Sequence, residues 1–163
     1  MRTKNHSTNA SSSSIHRIAT APDLTRLSEL RDQHHQQCHA CSHQDYRLRF
    51  TIDAVDTVTA HLTPAAHLCS YPDILHGGVT SLLIDEAMTC CLMAHGILGL
   101  TAELKLKYHH SVELNQALEI HTRVTQSRAP LHLLESQLLQ NGKAMLSAHA
   151  KFMQRPKQPQ LHA

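Results

Sequence analysis

At 163 residues the chain is long enough to bury one sizeable core, and a formal charge of +2 with a pI near 8.3 points to no polyanionic partner. Aromatic residues make up 3% and Trp is missing, so there is neither a basic stripe nor a stacking surface for nucleic acid. Sixteen histidines, scattered from His6 to His162, read as composition rather than as one metal site.

Five cysteines give no even-numbered disulfide framework, and Cys90-Cys91 are adjacent, so reduced thiols and a cytoplasmic location are expected. The longest apolar stretch carries Asp85-Glu86, and no membrane span is expected. Residues 1–22 are Ser-rich, lack acids and contain Arg2, Lys4 and Arg17. They read as a disordered leader, with a weak likeness to a transit peptide.

Pro22-Asp23 predicts the start of a short helix with Leu24, Leu27 and Leu30 on one stripe. Residues 36–43 are polar and loop-like. From Tyr46 the apolar period becomes two: Tyr46, Leu48, Phe50 and Ile52 predict one strand, and Val58, Ala60 and Leu62 a second ended by Pro64. Residues 65–75 read as a loop. A long helix is predicted over 77–95, apolar nearly all round and stopped by Gly96, which requires that other structure wrap it.

After Gly99 the pattern is all strand. Ala102, Leu104, Leu106 and Tyr108 face one way, then Ile120, Thr122 and Val124, then a run over 131–140. Asn141-Gly142 predicts a type I′ turn into a last strand with Ala144, Leu146, Ala148, Ala150 and Phe152 on one face. The expected architecture is α+β: one long central helix wrapped by a curved antiparallel sheet of about six strands. The expected domain runs from 23 to 154, with its core over 38–153, and a polar tail occupies 155–163.

The helix carries the candidate chemistry. Gly77-Gly78 at its N-terminus would offer unpaired backbone N–H groups without a Cβ in the way, suited to an oxyanion, and His76 could add a second donor. A ligand-free glycine turn is the alternative. Asp85 sits mid-helix, where a carboxylate is costly unless it activates water, attacks a carbonyl or serves a structural role; both kinds of reading stand. Glu86 points about 100° away from Asp85 and suits an ion pair or a solvent-facing position. Eight residues separate Gly77 from Asp85, about 12 Å of helix. One carbonyl cannot touch both, so a shared reaction requires two copies of the chain with antiparallel helices.

Ile74-Leu75-His76-Gly77-Gly78, Leu82-Leu83-Ile84-Asp85-Glu86-Ala87-Met88 and Thr101-Ala102-Glu103-Leu104-Lys105-Leu106-Lys107-Tyr108 together resemble the hotdog-fold, PaaI-like acyl-CoA thioesterases. Cys38-His39-Ala40-Cys41 followed by Tyr46-Arg47-Leu48-Arg49-Phe50 is similar to that family's lead-in, and the resemblance covers about Cys38 to Met153. It implies a hotdog fold, a homodimer or homotetramer, and hydrolysis of an acyl-CoA. By resemblance Asp85 is the catalytic base or nucleophile, Gly77 the oxyanion N–H, His76 its neighbour and Thr101 the residue that positions water or the carboxylate. Gly78, Glu86 and Ser70 are the candidate substrate-binding residues. Ser70 stands about where some relatives carry Asn or Gln, Ser111 where a proline is common, and a usual Gly/Pro-rich segment is reduced to Ser42-His43-Gln44-Asp45.

Two other readings share this fold: a non-catalytic acyl-CoA or acyl-binding protein, and an acyl-thioester hydratase. Intact Gly77, Asp85 and Thr101 favour hydrolysis. Cys38-x-x-Cys41 with His39 and His43 invites zinc, but no second Cys or His pair follows downstream, so neither metal nor other cofactor is expected. Cys69, Cys90 and Cys91 read as packing residues. Lys105, Lys107, Arg123 and Arg128 are candidates to meet coenzyme A phosphates, or are simply exposed strand charges.

Overall fold

The computed structural model describes Ile18, residues 20–54 and residues 56–156. Most of the expected leader and tail therefore lies outside the described residues.

Asp23 starts helix α1 (Leu24–His34), its side chain accepting a hydrogen bond from the Thr25 N–H at 2.8 Å. The helix buries Leu27 and docks on the end of the central helix, where the Asp23 N–H and the Arg26 guanidinium both donate to the Ala94 carbonyl. Residues 36–43, expected as loop, contain a single helical turn, α2 (His39–Ser42), which buries Ala40 and Cys41. Strands β1 (Arg49–Ala54) and β2 (Thr57–Leu62) form the first hairpin. β1 starts later than its alternation implied because Gln44–Tyr46 form a 3-10 turn.

The expected loop at 65–75 instead folds a small two-stranded sheet, β3 (Cys69–Tyr71) and β4 (Ile74–Leu75). Three-residue strands leave no period to read in a sequence. Helix α3 (Gly77–Ala94) follows, then β5 (Gly99–Tyr108), β6 (Leu118–Arg128), β7 (Leu131–Gln140) and β8 (Lys143–Gln154). Asn141 and Gly142 both take positive φ, 52° and 72°, as a type I′ turn requires. The six strands pair antiparallel in the order β1-β2-β6-β7-β8-β5. α3 lies against this sheet: Leu83, Ile84, Met88 and Leu92 are buried with Ile120, Leu134, Leu146 and Phe152. α3 has the length and composition of a membrane span, yet 67% of it is buried inside the fold, as in a core helix.

β5 departs from its simple alternation. A bulge between Thr101 and Glu103 shifts its register on β8, so that Thr101 opposes Phe152 while Leu104 opposes Ala150. Residues directly opposite share a face of the sheet, so Thr101 and Leu104 both point toward α3 although three positions apart. Ala102, expected on the buried face, is exposed instead. β5 is also an edge strand, which leaves Leu100 61% and Tyr108 48% exposed.

Candidate active site

The N-terminus of α3 is built around two peptide units. His76 is the N-cap in extended backbone (φ −59°, ψ 128°), and its Nδ1 accepts the Gly78 N–H at 2.9 Å. With Nδ1 accepting, the neutral ring carries its proton on Nε2, which leaves that nitrogen as a donor. The carbonyl of the His76–Gly77 peptide accepts the Thr80 N–H at 3.0 Å and the Thr80 hydroxyl at 3.2 Å. Two donors on that carbonyl polarise the same peptide's N–H, which belongs to Gly77, one of the first-turn groups without an intrahelical acceptor. The Gly77 carbonyl meets the Tyr108 hydroxyl at 2.8 Å and the Ser81 hydroxyl at 2.9 Å.

Gly77 lines an open groove of about 520 Å³ with Ser70, Tyr71, Thr80, Tyr108 and Ser111. Ser70 and Gly77 thus share a cavity. Gly78 does not offer its N–H there, because His76 holds it. A Cβ on Gly78 would come within 3.1 Å of that same His76 nitrogen, so the glycine protects the cap.

Two turns on, the Thr101 hydroxyl donates to Asp85 Oδ1 at 2.6 Å, a short charge-assisted bond that fixes one carboxylate oxygen. The bulge in β5 makes this contact possible. β5 therefore clasps α3 at two points, Tyr108 on Gly77 and Thr101 on Asp85. The helix between them is continuous, so Gly77 and Asp85 of one chain stay about 12 Å apart. Tyr108, Thr80 and Ser81 were not legible as site residues. Tyr108 reads as one more alternating apolar position, and only its place opposite the helix start reveals a use for its hydroxyl.

Glu86, expected in an ion pair, at solvent or with the substrate, is 6% exposed and makes no salt bridge among the described residues. The 100° step from Asp85 carries it to the opposite side of α3, against α2. There Cys41 Sγ lies 2.8 Å from Oε1, Cys90 Sγ 3.2 Å from Oε1 and Cys38 Sγ 3.9 Å from Oε2. Burial, then the Cys41 sulfur, push the Glu86 carboxyl up to about 7. The hydrogen bond with Cys90, then those with Glu86 and His35, hold the Cys41 thiol down to about 4. His39 and His43 do not join this cluster; His43 stacks on Tyr46, and His39 meets both rings at a tilt. Cys90 and Cys91 are fully buried packing residues, and burial pushes the Cys91 thiol up to about 12, whereas Cys69, expected to pack, is exposed. Of the basic residues considered for phosphates, Arg123 pairs with Glu135 and Lys105 with Glu103.

A long apolar helix against a six-stranded antiparallel sheet, with two glycines at its N-terminus and a mid-helix carboxylate, is the arrangement of a hotdog fold. A family model described as the thioesterase superfamily matches residues 73–129, the segment holding α3, β5 and β6. Among solved structures the chain is similar to the Escherichia coli PaaI protein of the phenylacetic acid degradation operon, at TM-score 0.69 and 10% identity, over 81% of this chain and 95% of that one. It is also similar to a hypothetical thioesterase of Streptococcus pneumoniae solved with coenzyme A, at TM-score 0.63 and 14% identity, over 69% and 91%. A third, a thioesterase superfamily protein at TM-score 0.59 and 22% identity, is matched over 65% of this chain, but the chain spans only 54% of that protein. No curated protein matches the chain by sequence. The resemblance to hotdog-fold, PaaI-like thioesterases is borne out in the fold and in the family-model match over residues 73–129.

Proposed function

We propose that the chain hydrolyses an acyl-CoA to the free acid and coenzyme A. The Asp85–Thr101 bond carries this reading. A carboxylate held by one oxygen beside an exposed strand edge is placed to take a proton from water, or to attack a thioester carbonyl directly. The polarised Gly77 N–H, with His76 Nε2 nearby on the same turn, stabilises the oxyanion that develops on that carbonyl. Relatives support the ligand class: the S. pneumoniae protein was solved with coenzyme A, and a Streptococcus mutans protein similar to this one at TM-score 0.65 was solved with acetyl CoA. The S. pneumoniae protein was also solved with an Asp and with a Thr each replaced by Ala, sixteen positions apart, the separation of Asp85 and Thr101.

The 12 Å between Gly77 and Asp85 supports a site shared between two chains, with a homodimer or a higher assembly of dimers as the active unit. The free edge of β5, which carries Thr101 and the exposed Leu100 and Tyr108, is the surface on which a second copy would complete the site. The test is thiol release from a panel of acyl-CoAs, wild type against Asp85→Ala. Release that the substitution abolishes is expected. Release that survives it would remove Asp85 from the reaction, and no release at any chain length would favour an acyl-binding protein instead.

A further inference from the structure

Glu86 poses a problem that the thioesterase chemistry does not use. A carboxylate buried in the middle of a core helix needs strong partners, and among the described residues its hydrogen-bond partners are three thiols, which are weak donors. Cys90 shares α3 with Glu86, while Cys38 and Cys41 come from the α2 turn, where His35 joins them from the end of α1. His35 caps the C-terminus of α1, Cys38 is the N-cap of α2, Cys41 lies within α2, and Glu86 projects from α3. The Cys38 N–H donates to the His35 carbonyl at 3.1 Å and the Ser42 N–H to the Cys38 carbonyl at 3.0 Å, which turns residues 35, 38 and 41 toward one point.

One ligand atom from each of His35, Cys38, Cys41 and Glu86 lies within 4.8 Å of all the others. Individual edges are 3.7 Å from Cys41 Sγ to His35 Nδ1 and 3.9 Å from Cys38 Sγ to Glu86 Oε2. Tetrahedral zinc, with bonds of about 2.3 Å to sulfur and about 2.0 Å to nitrogen or oxygen, sets its ligands about 3.3–3.8 Å apart. The cluster therefore already has close to the spacing of a four-ligand site. The 2.8 Å contact from Cys41 Sγ is to the other carboxylate oxygen, Oε1, so ligation through one oxygen requires a small rotation of the Glu86 carboxylate on loading.

We infer that His35, Cys38, Cys41 and Glu86 form a structural binding site for a zinc-like divalent cation, clamping the α1–α2 lead-in onto the central helix. Two thiolates and an imidazole select a borderline-soft metal over magnesium or calcium. Two thiolates and one carboxylate carry three negative charges. A divalent ion offsets two of them, and Arg31, which lines the same cavity as His35 and Cys41, supplies the third positive charge. That cavity, about 470 Å³ and open to solvent, gives the ion a path in. With all four positions taken by protein the site is closed, and a closed site staples rather than catalyses. Its ligands are separate from Gly77, Asp85 and Thr101, so the inference does not depend on the thioesterase reading.

The experiment uses the full chain, purified without chelator and kept reduced. Its zinc content is measured, the metal is removed, and cobalt(II) is titrated back. About one zinc per chain is expected, and about one cobalt giving the strong visible bands and sulfur-to-cobalt charge transfer of a tetrahedral thiolate site, displaced by zinc. His35→Gln and Cys41→Ser lose this uptake; His39→Gln and His43→Gln, which alter the other histidines of the segment, keep it. The melting temperature of the wild type falls on chelation and returns with zinc. Reduced wild type that takes up cobalt without a thiolate charge-transfer band, or none at all, overturns the site. So does loss of uptake in the His39 or His43 variant with retention in the His35 variant. A Cys38–Cys41 disulfide in the isolated chain, with reduced chain still binding no metal, would also refute it.

Discussion

Gly77→Pro isolates the backbone donor at the start of α3. Proline is well tolerated at the first helical position, where its missing N–H has no intrahelical partner to lose. The residue before a proline must be extended, and His76 already is, at φ −59° and ψ 128°. A Cβ at position 77 would first meet the Tyr108 hydroxyl at 3.7 Å, an ordinary contact. The fold should therefore keep its stability, or gain about 0.4–1 kcal/mol through a stiffer unfolded chain. What the variant lacks is the polarised N–H. Losing one oxyanion donor costs about 10²–10³ in kcat, so thiol release should drop by that factor with little change in melting temperature. Gly77→Ala, which adds the Cβ but keeps the N–H, should fall much less. Co-expressing Gly77→Pro with Asp85→Asn then tests which chain supplies what. In random pairing about half of the dimers are mixed, and each mixed dimer has one site with both residues intact, so about a quarter of wild-type activity returns. A folded Gly77→Pro with full activity would refute the oxyanion role, and a mixture as inactive as its parents would refute the two-chain site.

Thr101→Val removes the hydroxyl on Asp85 with little change of volume; losing a hydrogen bond to a charged group, about 1.5–3 kcal/mol, should lower kcat by roughly ten- to a hundred-fold, and Thr101→Ser should recover most of it. An unchanged kcat for the valine variant would show that Asp85 needs no positioning. His132 and His95 are both held below the usual histidine range by burial. The unfolded chain then takes up protons that the folded chain refuses, so stability is full above the unfolded pKa of about 6.5 and declines as pH falls through it. The melting temperature should drop between about pH 7.5 and about pH 5.5, and less steeply in His132→Gln, which keeps polar groups for Ser127 and Gln154. Parallel curves for the two proteins would refute the assignment to His132.

What the sequence made legible was whatever repeats with a period. The alternation of β2, β6 and β8 and the apolar run of α3 came through because burial on one face, or on all faces, writes itself into consecutive residues. Asn141-Gly142 was equally plain, since few residue pairs accept two positive φ angles. The site was legible only as far as α3 itself carries it. His76, Gly77 and Asp85 stand out against their helix, whereas Thr101 depends on a bulge that inverts its face, and Tyr108 on a strand passing the helix start. The Cys-x-x-Cys segment shows the same limit. Its remaining candidate ligands lie three residues upstream, at His35, and on another element altogether, at Glu86, and neither position follows from the spacing downstream.

The two adjacent carboxylates of α3 show how one helix serves two environments. A rotation of about 100° between consecutive residues is enough to separate a half-exposed Asp85, on the side of β5, from a buried Glu86, on the side of α2. Propensity argues against Asp85 and burial against Glu86, so neither is explained by the helix alone. Asp85 is compatible with its place because one oxygen is held by Thr101 and the side chain is half-exposed to solvent. Glu86 is compatible with its place if it carries a proton, as burial favours, or if a cation on the far side compensates its charge. The strain of a charged pair in a core helix is thus resolved separately on each face. The half-exposed face can exchange partners with solvent, while the packed face has to neutralise its carboxylate with a proton or a fixed counter-charge.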